Sequence, residues 1–180
     1  MCVEKKIPVW QMVGFVFTGL LGTLLHFLFD LTGGSAAVAI FSAVNESIWE
    51  HMKLIFYPMA VFAGIEYSAW GRKHKGFWCI KLIGITLSLL LIPVVYYTYT
   101  GILGVNADWF NITLFFFAAG LGYFAETKLL QKAFSCRLPS RAAIGILLLI
   151  AATFTVFTFV TPEIPFFQDP QNGTYGYQAL

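Results

Sequence analysis

Charged side chains are scarce in this sequence of 180 residues, where Asp, Glu, Lys and Arg together make up 11%. A soluble domain typically carries about 25%. So few charges cannot cover a water-facing surface, and hydrophobic residues reach 58% with a mean hydropathy of +0.76. The lipid bilayer is the alternative solvent. The composition therefore predicts an integral protein of the cell membrane.

Several chemical signatures are also missing. No basic patch is interleaved with aromatic residues, which argues against a nucleic-acid partner. The sequence has no phosphate-cradling Gly loop, no G-x-S-x-G or H-E-x-x-H motif and no internal repeat. Its three cysteines, Cys2, Cys79 and Cys136, show no paired spacing, and we expect small apolar fillers rather than disulfide or metal partners. No histidine follows His74.

Long hydrophobic runs are abundant, and they predict five membrane helices at about 8–30, within 36–70, 77–99, 108–130 and 141–161. Lys and Arg occur before the first, between the second and third, and between the fourth and fifth. By the positive-inside rule, the N-terminus is cytoplasmic and the C-terminus outside. The predicted fold is an all-α bundle over residues 1–162. A Pro- and Gly-rich tail over 163–180 keeps several aromatic residues, and we expect it to fold back as a lid outside the membrane.

The second hydrophobic segment is too long for one span, since 35 residues make a helix of about 52 Å and the hydrocarbon core is about 30 Å thick. One division places a short interfacial or re-entrant helix at about 35–44 before a membrane helix at about 47–70. Ser47 and Glu50 have the S-x-x-E spacing of a capping box, which favours a helix start there. The alternative is one long helix that projects beyond the membrane. In both cases residues 45–53 lie near the outer face.

The stretch "NESIWEHMK" in this region concentrates ionisable residues. At about 100° per residue, Glu46, Glu50, His51 and Lys53 share one broad helix face. A solvated interfacial helix or a ladder of ion pairs would account for this pattern. A functional site is the other interpretation, because ionisable groups inside a membrane protein usually face its interior.

The first span supports a site. His26 and Asp30 share one helix face in its outer third, and we expect Asp30 to accept a hydrogen bond from the His26 ring and set its tautomer. Because a short loop joins the first span to the second segment, His26 should meet the polar face of "NESIWEHMK".

These residues define the predicted site. Glu46 or Glu50 is the candidate base, His51 or His26 its partner, and Lys53 a charge stabiliser, with no metal required. Zinc or another divalent metal is the alternative, since zinc takes histidine and carboxylate ligands. The candidate ligands are His26, Asp30, Glu46, Glu50 and His51. The candidate binding residues are His26, Asp30, Asn45, Ser47, Trp49 and Tyr57.

Three functions stay open from the residues alone. The first is a membrane hydrolase acting on a lipid or small molecule. The second is a transporter that binds a cation or proton, although the inner halves of the first, third and fifth spans read as apolar. The third is a non-catalytic structural module. Glu66 and Glu126, near the cytoplasmic ends, are predicted partners of nearby basic residues. The oligomeric state is not predicted.

Two resemblances add to this reading. "NESIWEH" and the tail "PFFQDPQNGTYGY" resemble a family of small uncharacterised bacterial integral membrane proteins, which implies no activity. Residues 45–51 also resemble, locally, the N-E-T-x-N-I-W-x-H pattern of progestin and adiponectin receptors and alkaline ceramidases, which look like intramembrane zinc hydrolases. The two halves of that pattern lie two residues closer here. Because no histidine follows His74, the late histidine pair of those families is missing, and the resemblance does not supply a complete zinc site.

Overall fold

A computed structural model describes residues 6–132 and 134–178. Across these residues the chain is helical. The α-helices are α1 (Ile7–Leu31), α2 (Ala36–Ala39), α3 (Ile48–Ala69), α4 (Phe77–Leu103), α5 (Asp108–Gln131) and α6 (Ser140–Phe159), with a 3-10 turn at Gly71–Lys73. We call the end of the bundle with residues 32–47 and 104–107 the outer end. The opposite end, with residues 70–76, is the inner end.

Four helices in the described part of the chain are long and apolar enough to cross a membrane, namely α1, α4, α5 and α6. The helix α3 also has membrane-spanning length, with 22 residues, and it packs against α1, α4 and α6. However, Glu50, Lys53 and Glu66 lie along it and lower its hydropathy. The all-helical class is confirmed for the described residues, and the four candidate spans are compatible with an α-helical membrane protein, whereas the fifth span and the orientation stay predictions.

The long second segment divides in two, as one of the two alternatives predicted. The chain leaves α2 at Ala39 and turns through residues 40–47 before α3 begins at Ile48. The Ser47 hydroxyl caps α3 by accepting from the Glu50 N–H at 3.3 Å. Ser42 ties the turn to α1, because its hydroxyl accepts from the Phe29 N–H. The single long helix is therefore wrong.

Glycines allow the helices of the bundle to approach one another closely. A Cβ added at Gly22 of α1 would lie 2.6 Å from the Leu54 carbonyl oxygen of α3, and one added at Gly122 of α5 would lie 2.9 Å from the Gly84 carbonyl oxygen of α4. Real Cβ atoms do not come this near. These two contacts hold α1 against α3 and α5 against α4, which brings the outer residues of all four helices around one space.

The tail after α6 folds back over the outer end. The Phe167 ring packs on Trp49 with centroids 4.9 Å apart, and the Tyr177 N–H donates to the Thr158 carbonyl oxygen at 2.7 Å. Gly176 has φ 57°, and a Cβ there would lie 2.7 Å from the same Thr158 oxygen. Glycine thus permits both the left-handed turn and the close approach of the tail to α6.

The cysteine prediction needs correction. Cys79, in the first turn of α4, forms a disulfide with Cys136 in the α5–α6 connection, with Cα atoms 6.3 Å apart. The two cysteines are 57 positions apart in the sequence, which hides this pairing from any local spacing rule. Cys2 lies outside the described residues. Disulfides persist in oxidising compartments, whereas the basic loops predict that this end is cytoplasmic, so the two indicators of orientation point to opposite sides.

Candidate functional site

Three of the predicted site residues meet at the outer end of the bundle. His26 comes from α1, Glu46 from the turn before α3, and His51 from the first turn of α3. His26 Nε2 lies 3.8 Å from Glu46 Oε1, and His51 Nε2 lies 3.4 Å from Glu46 Oε2. The two imidazole centroids are 5.3 Å apart, and one donor atom from each residue lies within 4.8 Å of the others. We call these residues the His–Glu–His cluster.

The backbone of α3 orients His51. Its Nδ1 lies 2.9 Å from the Ser47 carbonyl oxygen, which can only accept a hydrogen bond. Nδ1 therefore carries the proton, and in the neutral imidazole the lone pair is on Nε2, the atom that faces Glu46. Histidines that bind metals usually have their second nitrogen held in this way, because the hydrogen bond sets the tautomer and the ring plane.

His26 is held differently from the prediction. Its Nδ1 is buried without a hydrogen-bond partner, and Asp30 is exposed at the end of α1. The expected hydrogen bond from His26 to Asp30 is therefore wrong. One helical turn places Asp30 beyond the cluster towards solvent, and Nε2 of His26 turns instead to Glu46.

Glu46 is positioned by the tail. Its N–H donates to Asp169 Oδ2 at 3.2 Å, and Asp169 is buried. The side chain of Glu46 is 37% exposed and lies between the two imidazoles. With His51 in its neutral form, Nε2 and Glu46 Oε2 are two acceptors that face each other across 3.4 Å. This contact is repulsive unless a proton or a metal ion lies between them.

A cavity of about 420 Å³ opens beside the cluster, between α1, α3, α4 and α5 and under the tail. Its polar wall contains His26, Glu46, His51, Tyr96, Asp108 and Asn111. Its apolar wall includes Phe27, Leu54, Ile92, Ile112, Phe115 and Phe116. Pro170 and Gln171 of the tail complete the lining. A space of this size, mostly apolar with a few convergent polar groups, is typical of a small-molecule site.

Glu50 and Lys53 do not join the His–Glu–His cluster. Both are almost fully buried, and Lys53 Nζ lies 2.5 Å from Glu50 Oε2. Lys53 also donates to the Ala39 carbonyl oxygen and to the Thr158 hydroxyl, and Glu50 accepts from the Val44 N–H and the Thr158 hydroxyl. This buried pair, which we call the Glu50–Lys53 pair, joins α2, α3 and α6 and does not line the cavity.

The remaining predicted binding residues lie outside the cavity wall and pack against the elements that carry the site. The Asn45 side chain accepts from the Ser47 N–H at 3.0 Å, which shapes the turn before α3. Trp49 packs among aromatic rings of α6 and the tail, 4.7 Å from Phe154 between centroids. The Tyr57 hydroxyl lies 3.5 Å from the Ala151 carbonyl oxygen. These four side chains are absent from the cavity wall.

Other cavity residues had weak sequence signals or none. In the sequence, Tyr96, Asp108 and Asn111 are polar residues near the predicted ends of the third and fourth spans, and this position alone does not indicate a site. A polar network holds this wall, since the Tyr99 hydroxyl donates to Asn111 Oδ1 at 2.6 Å and Asn111 Nδ2 donates to Asn106 Oδ1 at 2.8 Å. Asp169 was missed, because its contact with residue 46 spans 123 positions and no local pattern shows it.

A comparison with protein families places the chain. The model of the family of unknown function DUF6512 matches residues 2–177, and the chain belongs to that family. This confirms the predicted membership in an uncharacterised family, and it brings no activity. No curated protein matches the chain, and no solved structure does. The local resemblance to progestin and adiponectin receptors stays a prediction.

Proposed function

We propose that this protein is a membrane-embedded hydrolase that binds a divalent metal ion, zinc by preference, on His26, Glu46 and His51. Its substrate in this proposal is a lipid or a lipid-like small molecule held in the adjoining cavity. The proposal depends on one observation, the convergence of two imidazoles and a carboxylate beside a cavity.

The donor geometry fits a metal ion. Ligands about 2.0–2.1 Å from zinc in a tetrahedral site lie roughly 3.3 Å from each other. Nε2 of His51 lies 3.4 Å from Glu46 Oε2, and Nε2 of His26 lies 3.8 Å from Glu46 Oε1, so each imidazole is near this separation from a different oxygen of the carboxylate. One donor atom from each of the three residues lies within 4.8 Å of the others. Two histidines and one glutamate are also the ligand set of several catalytic zinc sites, in which the fourth position stays open for water or substrate.

The chemistry follows from this ligand set. A divalent ion at such a site lowers the proton affinity of bound water and polarises a carbonyl group. In the hydrolysis of an ester or amide, the hydroxyl of water is added to the acyl carbon, and a proton goes to the leaving alcohol or amine. Asp108 lies on the wall of the same cavity and outside the metal-binding group, and we assign this proton transfer to it.

The shape of the cavity supports an amphiphilic substrate. Phe27 of α1, with Ile112 and Phe116 of α5, contributes to its apolar wall, and these three side chains are also 40–60% exposed. In a membrane, we infer that their exposed parts contact lipid. An acyl chain can therefore lie between α1 and α5 while its polar end meets the cluster.

Transport is the alternative with less support. A transported ion needs a polar path along the bundle, but every buried side chain of α3 between Lys53 and Glu66 is apolar. These are Leu54, Ile55, Phe56, Pro58, Met59, Phe62 and Ala63. Along α3, the outer cavity therefore has no polar continuation towards the inner end, which favours a reaction site over a transport path.

The decisive measurement is the metal content of the purified full-length protein in lipid nanodiscs. We expect close to one zinc ion per chain in the wild type, and His51→Ala should weaken zinc binding by more than about 100-fold, because a lost ligand costs at least as much as a lost supporting residue. His74→Ala is the matched control, since His74 lies at the inner end and bonds the Leu130 and Lys75 carbonyl oxygens. It should bind metal like the wild type.

Activity is then measured on a panel of lipid esters and amides, with a water-soluble acyl ester for comparison. We expect chelator-sensitive hydrolysis that zinc restores, and a slower reaction of Asp108→Asn with metal content unchanged. A wild-type protein that binds no divalent metal, or equal zinc binding by wild type and His51→Ala, would overturn the metal site. Full metal loading without hydrolysis of any panel member would overturn the hydrolase.

A further inference from the structure

The inner half of the bundle contains a second polar cluster that sequence reasoning missed. Gln11 of α1, Glu66 of α3, Lys81 of α4 and Glu126 of α5 meet there, each at most 2% exposed. We call these four residues the inner cluster. The expectation that the inner halves of the first and third spans are apolar is thus wrong at Gln11 and Lys81, although Glu66 and Glu126 do pair with a basic residue, as expected.

Lys81 is at the centre of the inner cluster. Its Nζ contacts Glu66 Oε2, lies 2.6 Å from Glu126 Oε2, and donates to Gln11 Oε1 at 3.4 Å. Gln11 in turn donates to Glu66 Oε1 at 2.6 Å. All three N–H groups of the ammonium have partners on three different helices. Lys81 therefore fills the position between the two carboxylates.

The charges of the inner cluster do not balance. One ammonium faces two carboxylates, and Glu66 and Glu126 form no other ion pair among the described residues. The remaining polar side chains beside the cluster, Tyr123 of α5 and Thr18 of α1, are uncharged and hydrogen-bond each other at 2.9 Å. With both glutamates ionised, the cluster has one net negative charge in a buried site, which is strongly unfavourable.

One carboxylate oxygen of the inner cluster is a candidate position for the proton that would balance its charge. Glu126 Oε1 is buried and has no hydrogen-bond partner. The carboxyl group lies against the backbone of α4, where a Cβ added at Gly84 would be 2.7 Å from Glu126 Cδ. Lys81 occupies the space between the two carboxylates, and the backbone of α4 lies against the carboxyl group of Glu126. A proton is the cation that needs no additional space in such an arrangement.

We propose that the inner cluster is a proton-binding site that holds one dissociable proton, shared between Glu66 and Glu126 on either side of Lys81. With the proton bound, the cluster is neutral, as one ammonium, one carboxylate and one carboxylic acid. Release of the proton adds one negative charge to the core of the bundle. Intramembrane carboxylates that bind protons in this way are typical of functional proton sites in membrane proteins. The proposal does not depend on the outer cavity or on its metal.

Infrared spectroscopy of the full-length protein in nanodiscs tests the site, because a protonated carboxyl has a C=O stretch that is separate from the carboxylate bands. At neutral pH we expect this band in the wild type. It should disappear in Glu126→Gln and also in Glu66→Gln, because the one remaining glutamate is then ionised against Lys81. Glu163→Gln, an exposed residue of the tail, is the matched control and should keep the band.

Two outcomes would overturn the proposal. One is a wild type with no protonated carboxyl at neutral pH. The other is a band that survives in both Glu126→Gln and Glu66→Gln, which would place the proton elsewhere. If one variant does not fold, the wild-type spectrum and the second variant still decide the question. Stabilisation by sodium without a carboxyl band would assign the site to a metal cation instead of a proton.

Discussion

The motif around residues 46–53 serves two different structures at the outer end. Glu46 and His51 turn towards a cavity and are 29–37% exposed, whereas Glu50 and Lys53 turn into the core and are at most 1% exposed. The Glu50–Lys53 pair balances its charges and its hydrogen bonds. The His–Glu–His cluster instead leaves an imidazole lone pair facing a carboxylate. Each place combines a glutamate with a side chain that can be cationic, and the balance of hydrogen-bond donors and acceptors distinguishes structural support from ligand binding.

The inner cluster shares one property with the Glu50–Lys53 pair and another with the His–Glu–His cluster. It is buried like the Glu50–Lys53 pair, but its charges do not balance, which it shares with the His–Glu–His cluster. The net charge of a buried cluster can be neutralised only by a ligand small enough to enter a closed site. This is why we assign a metal ion to the open cluster and a proton to the closed one.

Of the three variants that test this comparison, the removal of Lys53 should have the largest effect, on the free energy of unfolding. Lys53→Met leaves Glu50 buried without its cation, and breaking a buried ion pair costs about 3–5 kcal/mol. We expect the free energy of unfolding in mild detergent to fall by that amount, while the folded fraction binds zinc like the wild type. Lys75→Met, at an exposed position, is the control. A loss below about 1 kcal/mol, as for a surface salt bridge, would contradict a structural role for the pair.

The removal of Asp169 should have an intermediate effect, which is limited to the zinc affinity of the His–Glu–His cluster. Asp169→Ala breaks the hydrogen bond that holds the backbone of Glu46. Outer-shell partners of metal ligands contribute about 10–100-fold to metal affinity, and we expect a loss in that range by zinc titration. Glu163→Ala changes an exposed acidic residue of the same tail and should leave zinc affinity unchanged. Equal affinities for the two variants would show that the tail does not position the ligand.

The Ser47 cap should have the smallest effect. Ser47→Ala removes the acceptor for the Glu50 N–H, and the loss of such a cap costs typically about 1 kcal/mol. Zinc affinity should be retained, because the Ser47 carbonyl that orients His51 is still present. Ser68→Ala, on the exposed side of the same helix, is the control for unfolding free energy. A large loss of zinc affinity in Ser47→Ala would show that the cap also places the metal ligands.

Local patterns predicted a good part of this molecule. The spans at 8–30, 77–99 and 108–130 match α1, α4 and α5 within a few residues, because hydrophobic runs and helix length depend on neighbours in the chain. The capping spacing located the start of α3 at Ser47 for the same reason. The short loop after α1 was enough to predict that His26 approaches the second segment.

Other features could not be predicted, since they depend on residues far apart in the chain. The Cys79–Cys136 disulfide spans 57 positions, and Glu66 and Glu126 meet at Lys81 across three helices. The rotation of α3 about its axis also determined which way the side chains of adjacent residues point. The 100° step from Glu50 to His51 sends one side chain into the core and the other to the cavity, and only packing against α1 and α6 determines which is which.

The sequence alone determined that the chain is a helical membrane protein with its ionisable groups gathered at helix ends, because composition and periodicity are properties of short segments. The tertiary structure decided which of those groups share a site. It closed the Glu50–Lys53 pair and the inner cluster away from water and left the His–Glu–His cluster open to a cavity. The physical reason is that burial and charge balance are set jointly by several helices, and no single segment contains that information.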